Sequence, residues 1–106
     1  MSLFGIFKKS DINAEVENIK NIKDAVLLDV RDIDEYSAGH IPGSINVPVK
    51  DIHGIITTIP DFNTPVFVYC LSGGRASKAV QTMKALGYTN VNNIGGISTY
   101  TGLKVM

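Results

Sequence analysis

The run Ala25-Val26-Leu27-Leu28 places four apolar side chains in succession and stops at Asp29. A strand with one wet face alternates apolar and polar residues, so an unbroken run is the pattern of a parallel strand covered on both sides. Residues 66–69, Val-Phe-Val-Tyr, form the strongest strand of the chain, being β-branched and aromatic throughout. Between these two runs, residues 32–38 read as a short helix closed by Gly39, Ile41-Pro42-Gly43 as a turn, and residues 44–47 as a second short strand. From Pro48 a helix is expected, with Val49, Ile52, Ile55 and Ile56 on one buried face and Gly54 weakening it. Ala76, Ala79, Val80, Met83 and Leu86 fall on one helical face before the stop at Gly87, the clearest helix in the chain. Residues 91–94 read as a last strand, and residues 97–100 as one more helical turn. Strands alternating with helices at short spacing predict an α/β domain with a mainly parallel sheet. Residues 1–106 are expected to form one domain, with residues 1–10 a loosely packed N-terminal segment.

The only cysteine, Cys70, sits where the strongest strand passes into the clearest helix. In parallel sheets the reactive site lies beyond the carboxyl ends of the strands, which is where Cys70 falls. A free thiol ionises near pH 8.5, so a nucleophilic cysteine needs a local device that holds its anion. The stretch Leu71-Ser72-Gly73-Gly74-Arg75 supplies candidates. Its backbone N–H groups converge if the loop curls, the two glycines permit the curl, and the helix behind points its positive end at the same spot. Arg75 and Lys78 place two cations in a first helical turn, where acids are preferred, and such a breach of local preference marks a functional position.

Charge distribution agrees. The ten acidic and ten basic residues cancel, which gives no sign of a nucleic-acid surface or a polybasic membrane anchor. All the acids lie between Asp11 and Asp61; from Phe62 onward there are only Arg75, Lys78, Lys84 and Lys104. The part of the chain that holds Cys70 is therefore cationic, favouring a thiolate and an anionic substrate. One cysteine makes no internal disulfide and no zinc cluster, so neither metal nor cofactor is expected, and a reducing, cytoplasmic setting is. The opening Leu3, Phe4 and Phe7 make too short an apolar stretch for a membrane span and have the wrong layout for a signal peptide, so membrane contact is not expected.

Counting from Cys70 to Arg75, the loop is C-x4-R, one residue shorter than the C-x5-R cradle with which cysteine-dependent phosphatases hold phosphate. The shorter loop suits a bound sulfur atom. Here the sequence resembles the rhodanese (sulfurtransferase) domain family. Leu28-Asp29-Val30-Arg31, Glu35-Tyr36 and residues 39–48 look like its first signature; residues 70–75 with Ser77 and Ala79 look like its active-site loop; Leu86-Gly87-Tyr88 and residues 91–97 are similar to its closing segment. The resemblance implies a parallel sheet flanked by helices on both faces, and a sulfurtransferase in which Cys70 takes sulfane sulfur from a donor such as thiosulfate or a polysulfide and passes it to a thiol, cyanide or an acceptor protein. The loop residues Leu71, Ser72, Gly73, Gly74 and Arg75 would bind substrate, with Arg75 steering an anionic donor; Asp29 and Arg31 would support the site. Two departures stand out: many thiosulfate-using members carry a basic residue where this chain has Leu71, and Tyr100 stands near a position usually held by Trp. A persulfide carrier or regulatory module is the second reading, and a phosphatase or arsenate reductase the third.

The remaining polar residues read structurally. Arg31 and Glu35, four apart at a helix start, are expected to pair and brace the strand end. His40 is expected to serve as a hydrogen-bonding turn residue and His53 to face solvent.

Overall fold

The computed structural model describes residues 11–106. Four strands, β1 (Val26–Asp29), β2 (Ile45–Asn46), β3 (Val66–Cys70) and β4 (Val91–Gly96), form one sheet in the order β2-β1-β3-β4. Every pairing is parallel: Val26 stands opposite Val66, Leu28 opposite Ile45, and Val66 opposite Val91. Helices α1 (Ile12–Ile19), α2 (Ile33–Ala38), α3 (Ile55–Thr58) and α4 (Gly74–Leu86) connect or flank the strands.

Alternation along the strands divides the core into two layers. Leu28, Val66, Val68 and Cys70 face one side and pack with Ile52, Ile55, Ala76, Ala79 and Met83. Leu27, Phe67 and Tyr69 face the other and pack with Ile12, Val16, Ile41 and Ile97. All five residues of β3 are buried, as a strand covered on both faces must be. The expected α/β architecture, with a parallel sheet between helical layers, is what the chain adopts.

Details differ in four places. Helix α1 was not expected; Asp11 caps it, accepting from the Asn13 N–H at 3.0 Å, and Ile12 and Val16 bury one face. The helix expected from Pro48 is split into a 3-10 segment, Val49–Gly54, and the single turn of α3, with Gly54 at the junction. This break turns Ile56 outward, 49% exposed, instead of placing it on the buried face. Leu86 likewise lies at the exposed end of α4 rather than under it. The apolar stretch that holds Leu3, Phe4 and Phe7 falls outside the described residues, among which no helix is long and apolar enough to cross a membrane.

Strand order also places the site. From β1 the chain crosses to β2 on one side, then returns to β3 on the other, so a topological switch point lies between the carboxyl ends of β1 and β3. Crevices at such points are where open α/β sheets bind ligands. β1 ends at Asp29 and β3 ends at Cys70.

Candidate active site

Cys70 is 1% exposed and is the last residue of β3. The chain then curls through Leu71 and Ser72 to Gly73, whose φ of +103° is a left-handed conformation that glycine adopts without strain. This turn brings the backbone back over the sulfur: the Gly73 N–H donates to Cys70 Sγ at 3.0 Å and the Ala76 N–H at 3.4 Å. Gly73 caps α4, so both donors stand at the positive end of a thirteen-residue helix. Gly74 and Arg75 lie in the first turn, where N–H groups have no partner within the helix. The arrangement aims the positive ends of two N–H dipoles at the sulfur.

The loop is braced from β4. The Asn93 side chain donates to the Gly73 carbonyl at 3.1 Å and accepts from the Gly95 N–H at 2.8 Å, while the Ser98 N–H donates to the Leu71 carbonyl at 3.0 Å. β4 bulges so that Tyr69 meets Gly95 and Cys70 meets Gly96, with Gly95 at φ +101°. Gly96 is extended at φ −133°, a conformation open to any residue, yet a Cβ there would stand 2.1 Å from the Leu71 carbonyl oxygen and 2.5 Å from the Ser72 Cα. Glycine is needed at 96 because the Cys70 loop lies against it. Gly96→Ala is therefore expected to push the loop off its position and lower any Cys70-dependent activity by about a hundredfold, the scale for an ångström of misplacement. Steady-state kinetics beside a denaturation curve would separate this from a general loss of folding.

Arg31 and Glu35 do not pair as expected. Arg31 precedes α2, so the helical four-residue spacing does not apply to it. Its guanidinium turns to Asp29, with Nε 3.0 Å and Nη2 2.7 Å from Oδ2, and Nη2 also donates to the Gly39 carbonyl at 2.7 Å. Both side chains are buried. Burial opposes the Arg31 charge, but the bonds to Asp29 outweigh it and raise the guanidinium pKa above its ordinary value. Asn46 adds bonds to the Asp29 and Arg31 carbonyls at 3.0 and 2.9 Å, tying β2 to the end of β1.

Glu35 instead takes Arg75, Oε1 to Nη1 at 2.6 Å and Oε2 to Nη2 at 3.0 Å. This bidentate pair clamps α2 to the start of α4, and the Arg75 guanidinium is turned to a carboxylate rather than left open to a donor. The Arg75 hydrogen bonds hold the Glu35 carboxyl below its ordinary value of 4.5. A carboxyl lowered on folding contributes stability above its unfolded pKa, and that contribution is lost as pH falls through the native value. Glu35→Gln is accordingly expected to cost about 0.5–1 kcal/mol at neutral pH and progressively less below 4.5, measured by urea denaturation across that range.

His40 is the turn residue expected: its ring stacks on Tyr36 at 3.7 Å and Nδ1 lies 2.8 Å from the Tyr36 carbonyl oxygen. His53 is exposed, as is Lys78. Tyr100 packs, half-buried, against the layer beneath Tyr69. Among the described residues, no three His, Cys, Asp or Glu side chains stand close enough to hold a metal ion.

Beside the loop opens a cleft of about 370 Å³, whose lining includes Leu71, Ile97 and Ser98 together with Arg31, Glu35 and Gly39. A profile of the rhodanese-like domain matches residues 13–102. The chain belongs to the rhodanese-like domain family. This rhodanese-like chain is 38% identical to thiosulfate sulfurtransferase PspE of Escherichia coli (strain K12) over 79 residues, 74% of its own length and 76% of that relative. It is 35% identical to the putative sulfur carrier protein YrkF of Bacillus subtilis (strain 168) over 77 residues, 72% of its length but 41% of the relative. A solved rhodanese with anions from E. coli superposes with a TM-score of 0.71 at 36% identity, covering 76% of this chain and 96% of that one. The loop that carries Cys70 thus belongs to a family with members named for sulfur transfer.

Proposed function

We propose that this chain is a sulfurtransferase in which Cys70 carries sulfane sulfur as a persulfide. The observation that carries the reading is the pair of backbone N–H groups, from Gly73 and Ala76, aimed at Cys70 Sγ from the end of a helix. With thiosulfate as donor, the Cys70 thiolate attacks the outer sulfur. A new S–S bond forms, the thiosulfate S–S bond breaks, and sulfite leaves with the bonding pair. A thiolate or cyanide acceptor then attacks the terminal sulfur, and the pair of the broken bond returns to Cys70. No general base is required once the thiolate exists, so the absence of a histidine partner is no objection. Leu71, Ser72, Gly73 and Gly74 would shape the pocket for the terminal sulfur. Arg75, committed to Glu35, braces the loop, while Asp29 and Arg31 fix the end of β1 beside it. Residues 1–106 would constitute one such domain, and a lone thiol suits a reducing compartment.

Incubation with thiosulfate or a polysulfide, followed by intact-protein mass measurement, is expected to add one sulfur atom to the chain; no gain with any sulfane donor would overturn the reading. Leu71 favours a second reading, a persulfide carrier with slow turnover of its own. Its side chain presents an apolar surface, 46% exposed, at a position where a cation would attract a small anion. Stable loading that resists cyanide and small thiols but discharges to a protein acceptor would select the carrier.

A further inference from the structure

The cleft beside the Cys70 loop has a further contributor from far along the chain, Lys104. The C-terminal segment is not trailing here. The His40 N–H donates to the Val105 carbonyl at 2.8 Å and the Val105 N–H to the His40 carbonyl at 2.9 Å, a closed antiparallel bridge next to Gly39. That bridge fixes the backbone one residue from Lys104 and next to a glycine that also lines the cleft.

The cations around the site differ in what they are free to do. Arg31 is buried against Asp29, and Arg75 is held bidentate by Glu35. Lys78 is exposed on α4 and does not line the cleft. Lys104 lines it and has no carboxylate partner among the described residues, and residues 1–10 contain no acid that could supply one. A lysine ammonium on a flexible stem is a point charge that can follow a small anion. Position 71, by contrast, gives the cleft an apolar wall.

We infer that Lys104 is a specificity-determining residue of this cleft, receiving the anionic end of a sulfane donor such as a sulfonate group and thereby standing in for a cation at position 71. The inference rests on the proposed sulfur transfer for its substrate, but anion binding by the cleft can be read without turnover. Sulfate serves as a probe that carries the anion and no transferable sulfur. Titrated at constant ionic strength against the ¹⁵N-labelled protein, it is expected to give saturating shifts of the Leu71, Ser98 and Gly39 amides. Lys104→Ala is expected to weaken binding about three- to tenfold, one charge contact in a wet site, and Lys104→Arg to restore it. In a thiosulfate-to-cyanide assay the alanine variant is expected to raise KM by a similar factor with kcat unchanged. Equal sulfate affinity in the wild type and Lys104→Ala, or no saturable shift in the wild type, would overturn the assignment. Lys104-dependent sulfate binding in a protein that never gains sulfur from thiosulfate would leave the assignment standing and overturn the transfer reaction instead.

Discussion

Cys70→Ser is expected to abolish sulfur loading altogether, with no mass gain from thiosulfate or polysulfide and turnover at the level of buffer. The effect follows from chemistry rather than from folding. A serine hydroxyl ionises far above neutral pH and forms no persulfide, and the chain has no other thiol to take over. The substitution is nearly isosteric, and an Oγ at the same place can accept the Gly73 N–H that now meets Sγ. The variant should therefore unfold within about 1 kcal/mol of the wild type. Equal loading in both proteins would show that the added sulfur is not carried by Cys70. A variant that fails to fold would be answered by Cys70→Ala, which removes the nucleophile and leaves a smaller apolar side chain in the buried layer.

Asp29→Ala should have the largest effect on stability. It strips the carboxylate from an Arg31 side chain that is 6% exposed, leaving a nearly buried charge whose remaining hydrogen bond is to the Gly39 carbonyl. Removing one member of a buried pair costs about 3–5 kcal/mol, a large part of the roughly 5–15 kcal/mol that holds a domain of this size together. The same substitution removes the acceptor that Asp29 Oδ1 offers to the Arg31 N–H at 2.8 Å, so the end of β1 loses its local tie as well. Thermal unfolding should fall by on the order of 15–30 °C. Replacing both partners with apolar residues, Asp29→Leu with Arg31→Met, is expected to recover much of the loss, because the penalty lies in the unpaired charge. A single variant within 1 kcal/mol of the wild type would mean that water reaches Arg31.

The fold was legible wherever local pattern and tertiary burial coincide. Residues 25–28 and 66–69 have no polar interruption, and the structure covers both faces of these strands. Gly87 ends α4 in the left-handed conformation its position suggested, at φ +119°. Helix α1 carried its own signal, a capping Asp11 ahead of Ile12, Val16 and Ile19, but over eight residues with only Ile12 and Val16 buried the period is too short to stand out. Among site residues, Cys70 and its glycines could be read from a strand-loop-helix context because their roles are local. The partners of the two arginines could not. Spacing favoured Arg31 with Glu35, whereas the observed pairs join Arg31 to a strand-end neighbour and Glu35 to a residue 40 positions away. Gly96 is similar: its backbone is ordinary, and only the distance to Leu71 reveals why no side chain fits.

The strand order carries a consequence for how the protein comes to exist. β1 is paired on one side by β2, only two residues long, and on the other by β3, which lies well down the chain. A parallel ladder between such distant segments must overcome loop-closure entropy before its contacts accumulate, so the meeting of β1 with β3 is expected to limit the rate of folding. The Asp29–Arg31 pair and the Cys70 loop belong to opposite members of that ladder. A nascent chain that has emerged only as far as β2 holds half a site and no sheet large enough to keep it, which makes completion of the reactive centre and completion of the fold the same kinetic event.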